Sequence, residues 1–218
     1  YAKGIWEHLG PELRRALQDE DWQVRRAAAE ALGKIGPPAL PALLQALQDE
    51  NRWVRRAAAW ALGKIGHPQA VPALLQVLQD KDEEGWVREA AAEALGNIGP
   101  PAVPALLQAL QDKDEEVRRA AAKALRKIGP PALPALLQAL QDKDEDREVR
   151  WAAAWELGNI GHPQALPALL QVLQDKDEDR EVRWAAAWAL GSIDHPQALL
   201  ALLQALQDEE WRVRRAAA

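Results

Sequence analysis

The chain has 218 residues, a formal net charge of −6 at pH 7, ten tryptophans and no cysteine, methionine or phenylalanine. The missing thiols exclude disulfides, zinc–thiolate sites and cysteine nucleophiles, and with Ser192 as the single serine, hydroxyl nucleophiles are nearly absent too. No segment reaches the roughly 18 apolar residues of a membrane span, and no basic-then-apolar signal segment opens the chain. We therefore expect a soluble, cytoplasmic protein with no membrane partner.

One block, V-R-x-A-A-A-x-A-L-G-x-I-G, recurs along the chain and divides it into repeats, the last copy stopping after A-A-A. A second block lies between successive copies, typified by PALPALLQALQ at 38–48, and an acidic connector such as DKDEDRE at 142–148 follows it. Each repeat thus comprises two short segments and two turns. The anchor valines that open the first block are Val24, Val54, Val87, Val117, Val149, Val182 and Val213, spaced 30, 33, 30, 32, 33 and 31 residues apart.

Both segments have the periodicity of amphipathic helices, and nothing in the sequence indicates a strand. In the second segment, leucines fall at i, i+3, i+4 and i+7, and Pro41 lies in the first turn, where its missing N–H does no harm. In the first segment, Asp21 is a suitable N-cap, and Gly33 and Gly36 are expected to end the helix. The predicted buried faces are Val24, Ala28, Leu32 and Ile35 in the first helix and Leu40, Leu43, Leu44 and Leu47 in the second.

A pair of helices this short cannot bury its apolar stripes alone, so the pairs must stack on a shared core. The two blocks together resemble the short HEAT-like repeat, the class seen in phycobilin lyase subunits and in engineered helical repeat libraries. The resemblance covers residues 11–218 and implies an all-α fold, a right-handed alpha solenoid of stacked HEAT-like two-helix repeats. We expect one array over 1–218, with an N-terminal cap segment at 1–18, six full repeats at 19–207 and a partial seventh at 208–218.

The two ends of the array differ from its middle. PELRRALQ at 11–18 matches the second helix of a repeat but places Arg14 and Arg15 where an internal repeat has Leu44 and Gln45, which would make an end soluble. The other end stops at Ala218, inside a first helix, which suggests a fragment, an engineered truncation or a covered end. We expect an apolar face left open there and end-to-end self-association through it.

Tryptophan is concentrated on the face that the first helices do not bury. Because these positions form the concave, randomised binding surface of the engineered HEAT-like libraries, the resemblance implies that the tryptophans line a groove. Trp151, Trp155, Trp184 and Trp188 are expected to form a two-by-two aromatic patch. The alternative is that the indoles pack on neighbours and stiffen the array. The tryptophans on this face are Trp22, Trp53, Trp60, Trp86, Trp151, Trp155, Trp184, Trp188 and Trp211.

The same face is mildly basic although the chain is acidic, which favours a protein or peptide partner with acidic residues. Arg52, Arg56, Arg147 and Arg180 are the basic residues assigned to this binding face. Nucleic acid is the disfavoured alternative. The basic residues that would serve it are Arg26, Arg52, Arg56, Lys64, Arg119, Lys123 and Lys127.

The remaining polar motifs are expected to be structural. The arginine after each anchor valine, such as Arg25, should bind connector aspartates and hold each turn to its neighbour. His67, His162 and His195 precede a proline in the inter-helix turn, and none is followed by the glutamate that metal-binding HEAT-like hydroxylases use. The resemblance to phycobilin lyases stops at the repeat, so we expect no catalytic residue, metal or cofactor.

These observations predict a non-enzymatic scaffold that binds a protein or peptide on a tryptophan-rich concave face. The alternative is a structural spacer or an engineered solenoid without a natural ligand. Weaker alternatives are nucleic-acid binding and a cradle for an aromatic or sugar ligand.

Overall fold

The computed structural model describes residues 2–143 and 145–218; Tyr1 of the predicted cap and Asp144 of the connector 142–148 lie outside the described residues. The described residues form fourteen α-helices and no strand, which confirms the all-α prediction. None of these helices is long and apolar enough to cross a lipid bilayer. The helices are α1 (Ala2–Ala16), α2 (Trp22–Ile35), α3 (Leu40–Ala46), α4 (Arg52–Ile65), α5 (Val71–Gln79), α6 (Gly85–Ile98), α7 (Val103–Ala109), α8 (Glu115–Ile128), α9 (Leu133–Gln141), α10 (Arg147–Ile160), α11 (Leu166–Gln174), α12 (Arg180–Gly191), α13 (Pro196–Ala205) and α14 (Trp211–Ala217).

The chain divides into two compact units, an N-terminal unit up to Lys127 and a C-terminal unit from Ile128. In the N-terminal unit, α2 packs on α4 and α4 on α6, so the first helices of successive repeats lie side by side, and α5 contacts α7 in the row of second helices. In the C-terminal unit, α10, α12 and α14 pack in the same order, and α11 lies between α9 and α13. Within each unit the helix pairs therefore stack as the repeat pattern requires.

The sequence signals at the helix ends act as expected, with one exception. The Asp21 side chain accepts a hydrogen bond from the Gln23 N–H, and Gly36 ends α2 at a φ of 95° that disfavours other residues. Gly33, however, does not end the helix but lies inside it. A Cβ placed on Gly33 would lie 2.8 Å from the Ala61 Cβ, so this glycine allows α2 to approach α4 closely.

The predicted buried faces are largely confirmed. Ala28, Leu32 and Ile35 are buried in α2, as are Leu40, Leu43 and Leu47 in the second helix, while Leu44 is half-buried. The prediction was wrong for Val24, which is 38 % exposed, whereas the equivalent Val54 is fully buried. The α4 helix of Val54 packs on a preceding first helix, α2, but only α1 precedes the helix that carries Val24.

The first helix is longer than expected. A repeat-like helix was predicted at 11–18, but α1 begins at Ala2 and continues through Pro11. The residues before Pro11 match no repeat block, so the pattern gave no reason to extend the helix there. Pro11 has no N–H, so α1 lacks one i→i−4 hydrogen bond at this position. Gly10, the residue before Pro11, is buried.

The arginines that follow the anchor valines hold consecutive connectors together, as predicted. Arg25 donates from Nη1 to the carbonyl oxygens of its own connector, Asp19 and Glu20, and from Nε to the Asp49 carboxylate of the next one at 2.9 Å. An ion pair with the following connector recurs in both units, so these arginines hold consecutive repeats together. The equivalent pairs are Arg55–Glu83, Arg88–Asp114, Arg150–Glu178 and Arg183–Asp208.

The last of these pairs predicts a pH-dependent stability. Burial raises the pKa of Asp208, but the Glu210 N–H, Arg183 and Lys176 outweigh it and lower that pKa from 3.8 to about 2. Because the folded pKa lies below the unfolded one, the stabilisation is fully present above about pH 4 and is lost as the pH falls through about 2. Asp208→Asn keeps an acceptor for the Glu210 N–H but removes the charge.

We expect Asp208→Asn to lower the free energy of unfolding by about 2 kcal/mol at pH 7. The difference from the unmodified chain should shrink between about pH 4 and pH 2. Urea denaturation at a series of pH values measures it, with the exposed Asp177→Asn as the control. A difference that is constant down to pH 2 would contradict this role of the carboxylate.

Candidate functional site

The tryptophans selected from the sequence all lie on first helices, but their surroundings differ between the two units. Trp53, Trp60 and Trp211 are exposed. The other six, Trp22, Trp86, Trp151, Trp155, Trp184 and Trp188, are half-buried. The face is therefore aromatic as predicted, but only part of its indole surface meets solvent.

In the N-terminal unit, three of these indoles line a cleft of about 440 Å³ across α2, α4, α6 and α8. Trp53 and Trp86 belong to successive repeats, and their ring centroids are 4.5 Å apart at an interplanar angle of 34°. Trp60 lies about two helical turns beyond Trp53 on α4 and also lines the cleft. The floor between them is formed by small side chains, such as Ala57 and Ala90, which leave the indole edges accessible.

Charged side chains of both signs surround this cleft. Arg26 pairs with Glu30 at 2.9 Å on α2, and Lys127 of α8 pairs with Glu93 of α6 at 3.1 Å. Within each of these two ion pairs the opposite charges cancel. Four basic side chains and three acidic ones line the cleft, and Asn97 adds an amide.

Arg56 and Lys123 supply the unpaired positive charge of the cleft, since neither forms an ion pair within residues 2–143 and 145–218. The Arg56 guanidinium lies 5.5 Å from the centroid of the Trp86 ring, a cation–π distance. On the outer side of α4, the Lys64 ammonium lies 5.2 Å from the Trp60 ring. Glu89 also lines the cleft without an ion pair among the described residues, so the unpaired charges around the apolar floor sum to +1.

Two residues of the sequence-based site that belong to the N-terminal unit do not line this cleft. Arg52 pairs with Glu84 of the next connector at 2.6 Å, so it joins two repeats at an exposed position. Trp22 is half-buried at the start of α2 and is not among the side chains lining the cleft.

In the C-terminal unit, the four tryptophans predicted to form a patch do come together, as a stack. Ring centroids lie 5.8 Å apart for Trp151–Trp155, 6.5 Å for Trp151–Trp184, 5.8 Å for Trp155–Trp184 and 3.8 Å for Trp155–Trp188. The interplanar angles lie between 5° and 19°, so the rings are nearly parallel. A Cβ on Gly158 would lie 2.7 Å from Trp188 Cζ3, so this indole also packs on the backbone of α10. The four indoles, which we call the tryptophan stack, mostly cover one another.

The arginines assigned to this second region are held by their neighbours. Arg147 contacts Glu148 at 2.6 Å and Asp179 at 3.8 Å, and these acidic groups raise its pKa above the ordinary value, the hydrogen bond to Glu148 most of all. Arg180 lies 3.9 Å from Glu181. Both guanidinium groups are exposed beside the tryptophan stack rather than enclosed in a recess.

Trp211 forms its own small surface at the start of α14. Its ring lies 5.5 Å from the Arg212 guanidinium, a cation–π distance, and it lines a shallow recess of about 480 Å³ with Trp184 and Trp188. Arg215 also lines this recess.

The histidines are turn residues, as the sequence predicted. The Nδ1 atoms of His67, His162 and His195 accept hydrogen bonds from the N–H groups of Gln69, Gln164 and Gln197 at 3.3, 3.2 and 3.2 Å. Each imidazole therefore caps the segment that follows it. Over the described ranges, no three His, Asp or Glu side chains are grouped so that they could hold a metal ion.

Sequence reasoning missed two polar residues. Asn97 and its neighbours on α6 line the cleft, and Glu156 is buried in α10 at a position where the other first helices carry alanine. The departure from A-L-G to E-L-G at 156–158 was the available signal for Glu156.

The chain is similar to several proteins of known structure. Human deoxyhypusine hydroxylase in complex with glycerol is 27 % identical over 99 % of this chain and 95 % of that one, with a TM-score of 0.42. The CpcE–CpcF complex of phycocyanin lyase from a Nostoc species is 28 % identical over 94 % of this chain and 78 % of that chain, with a TM-score of 0.41. An engineered protein is 27 % identical over 94 % and 65 %, with a TM-score of 0.41.

No curated protein matches the chain. The family model for HEAT repeats, in contrast, matches residues 10–85, 81–147 and 133–218, nearly the whole sequence. This confirms the resemblance carried by the two recurring blocks, and the chain belongs to the HEAT-repeat family.

Proposed function

We propose that the protein is a non-enzymatic scaffold that binds a peptide segment of a partner protein in the cleft of the N-terminal unit. The observation that carries this proposal is the cleft of about 440 Å³ with three tryptophans on its walls and small side chains on its floor. Indole offers a large, rigid contact area at a low cost in conformational entropy, which suits recognition of a peptide side chain.

The chemistry of the cleft favours a particular kind of peptide. An aromatic or aliphatic side chain of the partner would lie against Trp53 and Trp86, whose rings already contact each other at 4.5 Å. Arg56 and Lys123 supply positive charge not taken up by internal ion pairs. A carboxylate next to the apolar anchor of the peptide would pair with them, and the partner is therefore a segment with an apolar residue flanked by Asp or Glu.

A purely structural role is the second candidate, and it is favoured by the tryptophan stack of the C-terminal unit. Four indoles whose rings contact one another stabilise the packing of α10 on α12, and the stack borders only the shallow recess beside Trp211. Nucleic acid is disfavoured, because Arg26 and Lys127 of the basic set are already paired with glutamates.

Panning a random phage-displayed peptide library on the full chain tests the proposal. We expect enrichment of peptides in which an aromatic or aliphatic residue is flanked by acidic ones. Substitution of both Trp53 and Trp86 by alanine should weaken binding of an enriched peptide by about 30-fold or more, because the loss of even one hot-spot indole costs about 2 kcal/mol or more.

The matched control is Trp211→Ala, which removes an exposed indole from the other unit and should leave the Kd of the same peptide within about 2-fold. Two results would overturn the proposal. One is a library that yields no enriched sequence, as expected for a structural spacer. The other is an enriched peptide whose affinity for the folded double variant is unchanged.

A further inference from the structure

The α13 helix carries an apolar face that the C-terminal unit does not cover. Leu199 and Leu206 are 62 % and 40 % exposed, whereas the equivalent Leu166 and Leu173 of the preceding repeat are both 5 % exposed. The α11 helix that carries the latter pair has α13 packed beside it. Leu203 lies one turn from Leu199 on the same face and is also exposed, so the leucines form a stripe where another second helix would pack.

The N-terminal unit presents a complementary groove between α1 and α2. Leu9, Leu13 and Ala16 of α1 and Ala31 and Ile35 of α2 line this groove, which has a volume of about 660 Å³. Leu9 is exposed. Inside both units, another first helix lies beside a second helix and the first helix after it, as α2 lies beside α3 and α4, and α12 beside α13 and α14. The groove therefore has the shape that receives a first helix.

The ion pairs between anchor arginines and the following connectors, which we call the arginine–carboxylate ladder, are incomplete at the same two faces. Arg214 donates from Nη1 to the carbonyl oxygens of Asp208 and Glu209, as Arg25 and Arg55 do in their own connectors, but it reaches no carboxylate within the described residues. Asp19 accepts the Asp21 N–H at 2.9 Å, as its equivalent Asp49 accepts the Asn51 N–H, but it receives no arginine from the described residues. One face thus has a cation without its partner, and the other has a carboxylate without its partner.

We propose that these two faces bind each other in separate copies of the protein, head to tail. The α1 helix of one copy packs on the leucine stripe of α13 in the other, and α14 of the second copy enters the groove between α1 and α2 of the first. The Asp19 carboxylate then takes the place of the next connector for Arg214. This contact continues the stacking and the ladder of the internal repeats across the joint, and it does not involve the peptide cleft.

The two faces are different surfaces, so the contact is heterologous and leaves one face of each kind free in every dimer. Association is therefore expected to proceed beyond two copies. Sedimentation velocity of the full chain should show a weight-average mass that rises with concentration above the 24.0 kDa of one chain.

Two variants, each blocked at one face, distinguish this contact from a symmetric dimer. Leu199→Glu with Leu203→Glu blocks the stripe, and Leu9→Glu blocks the groove. Each variant alone should sediment as a monomer, whereas their equimolar mixture should form one-to-one dimers that do not grow. Gln138→Glu, an added charge at an exposed position of α9, should associate as the unmodified chain does.

The ion pair is tested separately by Asp19→Asn, which keeps an acceptor for the Asp21 N–H and should weaken association on the order of 10-fold. Thermal melts at low concentration verify that each variant is folded. Three results would overturn the proposal: an unmodified chain that stays a monomer at all concentrations, a groove variant that dimerises alone through its leucine stripe, or a mixture of the two blocked variants that stays monomeric.

Discussion

Replacement of Leu157 by alanine is expected to lower the free energy of unfolding of the C-terminal unit by about 2–5 kcal/mol. Leu157 is fully buried in α10, which packs on both α9 and α12, so truncation removes apolar contacts and leaves a cavity that close-packed helices cannot collapse to fill. Urea denaturation followed by circular dichroism measures the loss.

The control for this substitution is Leu200→Ala, measured at a concentration where the chain is monomeric. Leu200 is 61 % exposed on α13, and the same change of side chain should cost less than about 0.5 kcal/mol there. Equal losses at the two positions would mean that Leu157 is not enclosed by the packing of α10 on α9 and α12.

Most of the fold could be predicted because the same residue pattern recurs in each repeat. The anchor valine, the alanine triplet and the proline before each second helix recur at nearly constant spacing, and each is a local signal with one physical consequence. Glycine is less specific, because it serves both helix ends and close packing. Gly36 ends α2 with a positive φ, whereas Gly33 allows contact with Ala61, and the sequence alone does not separate the two uses.

Burial at the margins of the array was harder to predict than burial inside it. Val24 and Val54 are both followed by R-R-A-A-A, and the difference in exposure comes from the helices packed around each. The same reasoning applies to Leu199, which has the sequence environment of Leu166 but lacks a helix beside it. Periodicity identifies which face of a helix is apolar, and only the tertiary neighbours decide whether that face is covered.

The sequence predicted that the four indoles of the tryptophan stack lie together, as their ring contacts show, but it did not indicate which tryptophans would line a cleft. In α10 and α12, indoles occupy two columns of adjacent positions, so Trp151, Trp155, Trp184 and Trp188 fill the space between them. In α4 and α6 the same columns hold Arg56 and Trp60, then Glu89 and Glu93, all of which line the cleft. Long charged side chains extend toward water and keep a cleft open where stacked indoles close it.

This difference predicts opposite outcomes for the two groups of tryptophans. Replacing all four residues of the tryptophan stack by alanine should lower the free energy of unfolding of the C-terminal unit by about 2–6 kcal/mol from the ring contacts alone. Replacing Trp53 and Trp86 breaks one ring contact and should cost about 0.5–1.5 kcal/mol from that contact. Urea denaturation of the two variants compares these losses.

The same two variants should show the reverse order in peptide binding. The cleft variant should lose affinity for a peptide selected on the unmodified chain, while the stack variant, measured where its N-terminal unit is folded, should keep its Kd within about 2-fold. A stack variant that melts unchanged but no longer binds would mean that the indoles of α10 and α12 are the recognition surface. The two groups differ in geometry: the nearly parallel rings of the stack lie 3.8–6.5 Å apart and contact one another, whereas Trp53, Trp60 and Trp86 line an open cleft of about 440 Å³.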